Sequence, residues 1–309
     1  MIPTLLGIVL IVLLFTIITP GDPVKMMMGE RATPEQIEAM REELGLNDPL
    51  PVRYVRYIRD ILHGDFGRSY FTSRPVFDEI SQRFPYTLML ECISLLLSVG
   101  VGVPLGIYAA TNHSSWKDNV AIFASLFCVS MPAFWFALLL IQWLSVNLRV
   151  LPISGIEDWK GWILPAVTGA LGYAAVIARQ MRSNLLEVIR QDYITTARAK
   201  GQSEGKILYR HALKNAVIPV IMLVGWIFGM SMGGSMIAEI IFSIPGLGSY
   251  TLSALQSRNY PVIQSSVLLL SAFFAVVLLT IDIIFAIIDP RIRVQYAGRR
   301  RKAEKGAAQ

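Results

Sequence analysis

The sequence predicts an all-α integral membrane protein of about six transmembrane helices, with a helical insert after the first. Three observations carry that prediction. Hydrophobic residues make up 54% of the chain and charged residues only 16%, against about 25% charged in an ordinary soluble domain. The charges are gathered into segments that separate long uncharged stretches, the block pattern of a bilayer crossed by about 20 apolar residues at a time. Basic residues also concentrate in alternate connections, as the positive-inside rule requires.

Residues 1–20 form the first expected helix, with Ile2 to Thr19 as its apolar span. A secretory signal peptide is the competing reading of that length, but no basic n-region and no A-x-A site precede Gly21-Asp22-Pro23. Residues 21–83 read as a folded helical insert. Thr33-Pro34-Glu35-Gln36 is a capping box with proline at the first helical position, Ile37, Met40 and Leu44 repeat at helical spacing, and Gly45 ends the helix. A second helix is expected over Val52 to Leu62, with Val55, Ile58 and Leu62 on its apolar face and Arg53, Arg56 and Arg59 on a solvated one.

A membrane domain is expected over 84–288. Its spans run Phe84 to Ala110, interrupted by Glu91, Asn119 to Leu148, Ile163 to Ala178, Asn215 to Ala238, and Asn259 to Ile288, broken by Asp282. The fourth of the six spans, Ile163 to Ala178, is rich in Ala and Gly, which allow close helix approach and point to a central place in the bundle. Gly225, Gly229 and Gly233 form a one-sided stripe, for helix packing before pore lining. Glu91, Glu239 and Asp282 are the acids expected within the membrane, the first two near the outer ends of their spans. Segments 111–118, 179–214 and 289–309 hold 16 basic residues, whereas 149–162 and 243–258 hold 3. Both termini and the basic tail 289–309 are therefore expected in the cytoplasm and the insert outside.

The net charge of +6 sits in connections beside apolar spans, which argues against a nucleic-acid partner. Cys92 and Cys128 lie inside apolar spans and form no CxxC pair. His63, His113 and His211 are far apart, so neither a catalytic centre nor a metal site is expected in this chain. Gly201-Gln202-Ser203-Glu204-Gly205-Lys206-Ile207 fails as a P-loop: one residue is missing between the glycines, and Ile207 stands where a hydroxyl must meet Mg²⁺.

The longest cytoplasmic connection, 179–214, is amphipathic. Leu185, Val188 and Ile189 mark one face, Gly201 stops a short helix that starts near Asp192, and a new helix begins at Ile207. A compact knob of this kind docks in a groove on a soluble partner or lies as a basic hairpin on the lipid surface, and physical reasoning leaves the two level.

The run Asp192-Tyr193-Ile194-Thr195-Thr196-Ala197-Arg198-Ala199-Lys200-Gly201, with His211-Ala212-Leu213-Lys214-Asn215-Ala216 and Pro219 after it, resembles the coupling loop of ABC importer permeases in its dipeptide, oligopeptide and nickel form. Pro20-Gly21-Asp22-Pro23, Gly64-Asp65-Phe66-Gly67 with Ser69, Arg83 to Leu88, Pro132-Ala133-Phe134, Pro245-Gly246-Leu247-Gly248 and Asp289-Pro290 resemble the first permease subunit of the same family. The resemblance implies a type I importer permease fold in a bacterial inner membrane. It implies a pore subunit that passes di- or oligopeptides delivered by an external solute-binding protein, with nickel-chelate and glutathione permeases as alternatives. It also implies a related second permease and two ATP-binding cassette ATPases that hold ATP and Mg²⁺, so the chain carries no cofactor of its own. Asp192, Tyr193, Thr195, Thr196, Ala197, Arg198, Ala199, Lys200 and Gly201 would form the coupling surface. An ion-coupled secondary transporter is the reading from another class. It needs intramembrane ion sites, for which only the three acids are available.

Overall fold

The computed structural model describes residues 1–18, 21–29 and 32–288. The Asp289-Pro290 pair, the tail 289–309 and Pro20 lie outside the described residues.

Helix α1 (Ile2–Ile18) leads to α2 (Pro23–Met28), α3 (Pro34–Glu43) and α4 (Leu50–Leu62) of the insert. The capping box forms as expected: Thr33 Oγ1 accepts from the Gln36 amide and Gln36 Oε1 from the Thr33 amide. Gly45 stands after α3 at φ 63°. The packed face of α4 differs from the expected one. Val55 and Leu62 are 64% and 80% exposed, while Tyr54, Tyr57, Ile58 and Ile61 turn inward. The tyrosines shift the buried stripe, because each brings a large apolar ring as well as a hydroxyl with a partner: Tyr54 donates to the Leu6 carbonyl and Tyr57 pairs with Ser265.

The chain continues as α5 (Val76–Thr111), α6 (Trp116–Ser130), α7 (Ala133–Leu140) running into a π-helical turn at Ile141–Asn147, and α8 (Ile163–Ile189). Next come α9 (Asp192–Ala199), α10 (Glu204–Lys206), a second π-helical stretch at Ile207–Ala212, and α11 (Leu213–Ala216). The last elements are α12 (Ile218–Gly234), α13 (Met236–Ile241), α14 (Leu247–Gln256) and α15 (Tyr260–Ile288).

By length and composition α5, α15 and the helical stretch Trp159–Ile189 suffice to cross a membrane, and two broken pairs, α6 with α7 and α10–α11 with α12, suffice when each counts as one span. With the 17-residue apolar α1, these correspond to the six expected spans. The two breaks replace continuous helices expected over 119–148 and 215–238, and both have proline causes. Pro132 forces Met131 into an extended conformation, φ −79° and ψ 123°. Pro219 cannot donate to the Asn215 carbonyl, and the chain bends by 46° there. The span expected to be central is the most enclosed of the three unbroken ones, with 56% of its most apolar stretch buried against 28% for α5 and none for α15.

The chain divides into two compact units, Met1–Ser94 with Pro132–Gly169 and Met230–Phe274, and Leu95–Met131 with Ala170–Gly229 and Ala275–Gln309. In the first, one apolar core forms around Val76, Ile80, Leu247 and Val262, and another around Leu90, Ala137, Leu164 and Phe242. The first unit also holds a buried polar centre. Glu239, fully buried, accepts from Thr87 Oγ1 at 2.6 Å, Ser235 Oγ at 3.0 Å and the Ser249 amide at 2.7 Å. Thr87 Oγ1 in turn accepts from the Leu247 amide at 2.8 Å. Leu247 and Ser249 begin α14, so one carboxylate and one hydroxyl satisfy amides that a helix start leaves open, and the negative charge lies where the helix dipole favours it. Cβ atoms at Gly246 and Gly248 would stand 2.3 and 3.0 Å from this carboxylate. The glycines of Pro245-Gly246-Leu247-Gly248 are thus demanded by contact. Glu91, 5% exposed, bonds Ser231.

In the second unit a core around Ile177, Met181, Leu185, Ile207 and Ala216 joins α5, α8 and the segment after α9. Here α5 meets α8 backbone to backbone. A Cβ on Gly102 would lie 2.6 Å from the Ala174 carbonyl oxygen, and one on Gly106 2.5 Å from that of Ala178. This is a Gly-x-x-x-Gly face on a row of alanines, the close packing small residues permit in membranes. On α12, a Cβ at Gly225 would meet Ile281 of α15, Gly229 is buried, and Gly233 faces open space. The stripe is therefore a packing face along part of its length only. Asp282 is exposed on α15.

Two sets of substitutions test these contacts. Gly106→Val forces α5 off the Ala178 carbonyl and is expected to cost about 1–3 kcal/mol, the range for overpacking, whereas Gly172→Ala, with open space around it, is expected to cost little. Gly246→Ala displaces the Glu239 carboxylate, and breaking a buried charge from its partners costs about 3–5 kcal/mol. Denaturation of the purified protein in mixed micelles measures all three, and Gly246→Ala as stable as the parent would refute the capping role.

Candidate functional site

The segment with the functional motif is held by the second unit's core. Its mount is α8, whose Arg182 grips Asp118 bidentately, Nε to Oδ1 at 2.6 Å and Nη2 to Oδ2 at 2.7 Å. Asp118 is 1% exposed and sits in the first turn of α6, capped by Ser115. A buried pair of this geometry keeps both ions hydrogen-bonded and sets direction more than stability.

Past Ile189 the chain turns at Gln191, which is extended at φ −74° and ψ 149°, and α9 starts at Asp192, an acid in the first turn where the dipole favours it. The helix ends as expected at Gly201, φ 73°. The Gln202 amide bonds the Ala197 carbonyl and the Gly201 amide that of Arg198, the Schellman pattern. No atom lies within 4 Å of a Cβ built on Gly201. The glycine is required by backbone conformation and not by crowding.

The two sides of α9 differ sharply. Ile194 is fully buried and Ala197 8% exposed, both packed into the core of α8 and the stretch 207–216. Tyr193, Thr195, Thr196, Arg198, Ala199 and Lys200 are exposed. Of the residues expected to form one coupling surface, Ala197 therefore faces the chain's own core and serves as mount.

Three side-chain links tie α9 and its C-terminal turn to the stretch 204–215. Asn215 Nδ2 donates to Tyr193 Oη at 2.8 Å, Arg198 makes a double bond pair to the Glu204 carboxylate at 2.7 and 3.2 Å, and His211 Nε2 pairs with Gln202 Oε1 at 2.8 Å. The hydrogen bond and charge of Arg198 hold the Glu204 carboxyl below its ordinary value. Asn184 Nδ2 of α8 reaches the Ala216 carbonyl at 3.3 Å. The two halves of the motif thus bind each other: Tyr193 and Gln202 lie in or just after the first run, Asn215 and His211 in the second.

Among the described residues no three His, Cys, Asp or Glu side chains are grouped to hold a metal ion. Of the three acids, Glu239 caps α14 and Glu91 bonds Ser231, near enough within the first unit for the two charges to act on each other, and Asp282 is exposed on α15. The residues that sequence reasoning passed over are Asp118, Arg182 and the pair Gly102 and Gly106, and Thr87 is read only as part of the Arg83 to Leu88 motif. Only the glycine pair carries a local signal, its four-residue spacing in an apolar span.

Comparison with known proteins agrees over nearly the whole length. The family described as binding-protein-dependent transport system inner membrane component matches residues 102–294, and the N-terminal family of such membrane components matches residues 1–91. The chain is 42% identical over 293 residues to the glutathione transport system permease protein GsiC of Salmonella paratyphi A, covering 95% of this chain and 96% of that protein. It is 41% identical to GsiC of Escherichia coli K12 over the same shares. Among solved structures, a chain of the inward-facing MetNI methionine ABC transporter superposes with a TM-score of 0.61 at 19% identity, covering 71% of this chain and all of that one, a likeness of fold. A second crystal form of the same transporter gives 0.59. The chain belongs to the binding-protein-dependent inner membrane transport components, as a multi-pass permease subunit of an ABC importer in the dipeptide and oligopeptide family.

Proposed function

We propose that the chain forms half of the pore of an ATP-driven importer of short peptides, and that the exposed side of α9 is where a partner ATPase grips it. The observation that supports this best is the two-sided build of α9. Ile194 and Ala197 anchor it in the core, while Tyr193, Thr195, Thr196, Arg198, Ala199 and Lys200 lie on its open side. A helix pressed on a lipid surface needs an apolar outer face, and this one is polar and basic. A push on α9 passes through the Tyr193–Asn215 and Gln202–His211 links into α11 and α12.

In this reading a second, related permease completes the pore, two ATPases hold ATP and Mg²⁺, and an external solute-binding protein delivers the cargo. The insert lies outside and both termini inside. The GsiC relatives favour a peptide over a nickel chelate, and glutathione, itself a tripeptide, is the first cargo to test.

Reconstitution with the partner ATPases tests the coupling. Gly201→Val puts a β-branched residue at φ 73°, costs about 1–2 kcal/mol locally and tilts α9, so ATP hydrolysis is expected to lose its link to uptake. Ala199→Arg, on the open side, is expected to release the ATPases with the fold intact, and Ala197→Arg to unseat α9 from its core. Unchanged ATPase co-purification and coupled uptake in the first two variants would remove residues 192–201 from the coupling surface. Uptake driven by an ion gradient without ATP would instead favour a secondary transporter.

Topology has its own check. Reporter fusions after Arg74 and Ser154 are expected outside, and fusions after Ser203 inside. An external Ser203 reporter would rule out an ATPase contact at α9.

A further inference from the structure

An open cleft of about 660 Å³ lies between the insert, α1 and the start of α15, lined mainly by α3, α4 and the loop 65–73. That volume lies within the range of small-molecule sites, about 300–1,000 Å³. Its floor is built by a motif that the coupling mechanism leaves unused, Gly64-Asp65-Phe66-Gly67 with Ser69. Asp65 Oδ1 accepts from the Gly67 amide, and Ser265 Oγ donates to the Phe66 carbonyl. Asn259 bridges the Tyr70 amide at 3.1 Å and Ser69 Oγ at 2.9 Å. The cavity wall is therefore fixed by hydrogen bonds to the beginning of α15.

The charges on this wall are unusual in being unspent. Arg56 is paired with Asp48, and Asp65 is engaged by its own turn. Among the described residues Arg53 and Arg68 have no carboxylate within 4 Å, Glu43 has no cation, and Asp60 has only the Arg59 Nε at 3.9 Å. Arg68 Nη1 donates to the Ser73 carbonyl at 3.0 Å, which leaves its charge unneutralised, so two cations and two anions border the same space. Arg53 lies close enough to the hydroxyls of Tyr70 and Tyr260 for its charge to act on both, and the two rings form an edge-on pair with centroids 6.3 Å apart. Burial pushes the Tyr70 hydroxyl up to about 12, with Arg53 opposing, so it stays a neutral donor. A simple anion would leave Glu43 and Asp60 facing it, and a simple cation would face Arg53 and Arg68. A ligand with a carboxylate at one end and an ammonium at the other uses both sets.

We infer that this cavity binds a short zwitterionic peptide of two or three residues, its carboxylate at Arg53 with Tyr70 and Tyr260 and its ammonium at Asp60 and Glu43. The inference rests on the peptide-import reading for the class of cargo and on the insert's external side for access. It gives the permease a cargo site of its own, apart from the binding protein.

Calorimetric titration of the full chain in lipid nanodiscs, with no partner subunit, tests it, using trialanine and glutathione as probes. Both are expected to saturate one site, and trialanine blocked as N-acetyl and C-amide to bind at least tenfold more weakly. Arg53→Gln is expected to weaken trialanine at least tenfold, while Arg74→Gln, at an exposed side chain outside the cavity, leaves it unchanged. Failure of both peptides to bind, equal binding of the blocked peptide, or an unaffected Arg53→Gln overturns the site. Uptake by the assembled transporter separates this from the wider reading. Peptide import without binding to the lone chain removes the cavity site and leaves the importer, and binding without any ATP-driven peptide import does the reverse.

Discussion

A carboxylate buried in an apolar helical setting has to be surrounded by donors, and in this protein Glu239 imposes that condition on everything near it. A buried ion that keeps its charge costs several kcal/mol unless hydrogen bonds replace its water. Thr87 supplies one bond from α5, Ser235 one from the turn before α13, and the Ser249 amide one from α14. The start of α14 gains in return, because amides that a helix start leaves open end on oxygen. Position 246 must carry no side chain, and Thr87 must lie opposite both α13 and the start of α14. One ion therefore fixes the register of three helices in that unit.

The second unit is built on a contrasting principle. Its central contact, α5 on α8, uses no side chains at Gly102 and Gly106, only backbone against backbone. Close approach of this kind gains dispersion without help from the hydrophobic effect, which is absent between helices in lipid. The bidentate Arg182–Asp118 pair and the mount of Ile194 and Ala197 then extend α8 rigidly into α9. Side-chain hydrogen bonds join α9 and the turn after it to the stretch 204–215.

Much of this was legible in the sequence, for reasons that differ by element. Apolar length declares α5, α8 and α15, since a bilayer enforces it. Local chemistry declares the Thr33 capping box and the glycine at 201, because each acts within a few residues. The breaks at Met131 and Val217 were marked by Pro132 and Pro219, but an uncharged run hides a break when only polarity is read. The face of α4 was misassigned since Val55 and Leu62 are more apolar than Tyr54 and Tyr57, and only tertiary partners show that the tyrosines win. The role of Ala197 was closed to sequence reasoning for a similar reason: helical spacing groups residues by face but does not say which face looks inward. Glu239 and Thr87 each stand out in the sequence, but nothing local marks their pairing across 152 residues.

The π-helical stretch at Ile207–Ala212 carries a consequence for which side chains reach the core. In an α-helix residues five apart point about 140° away from each other. The i→i+5 bonds of a π turn widen the helix and bring such residues toward one face. Ile207 and Ala212 stand five apart, and both are buried in the core of the second unit.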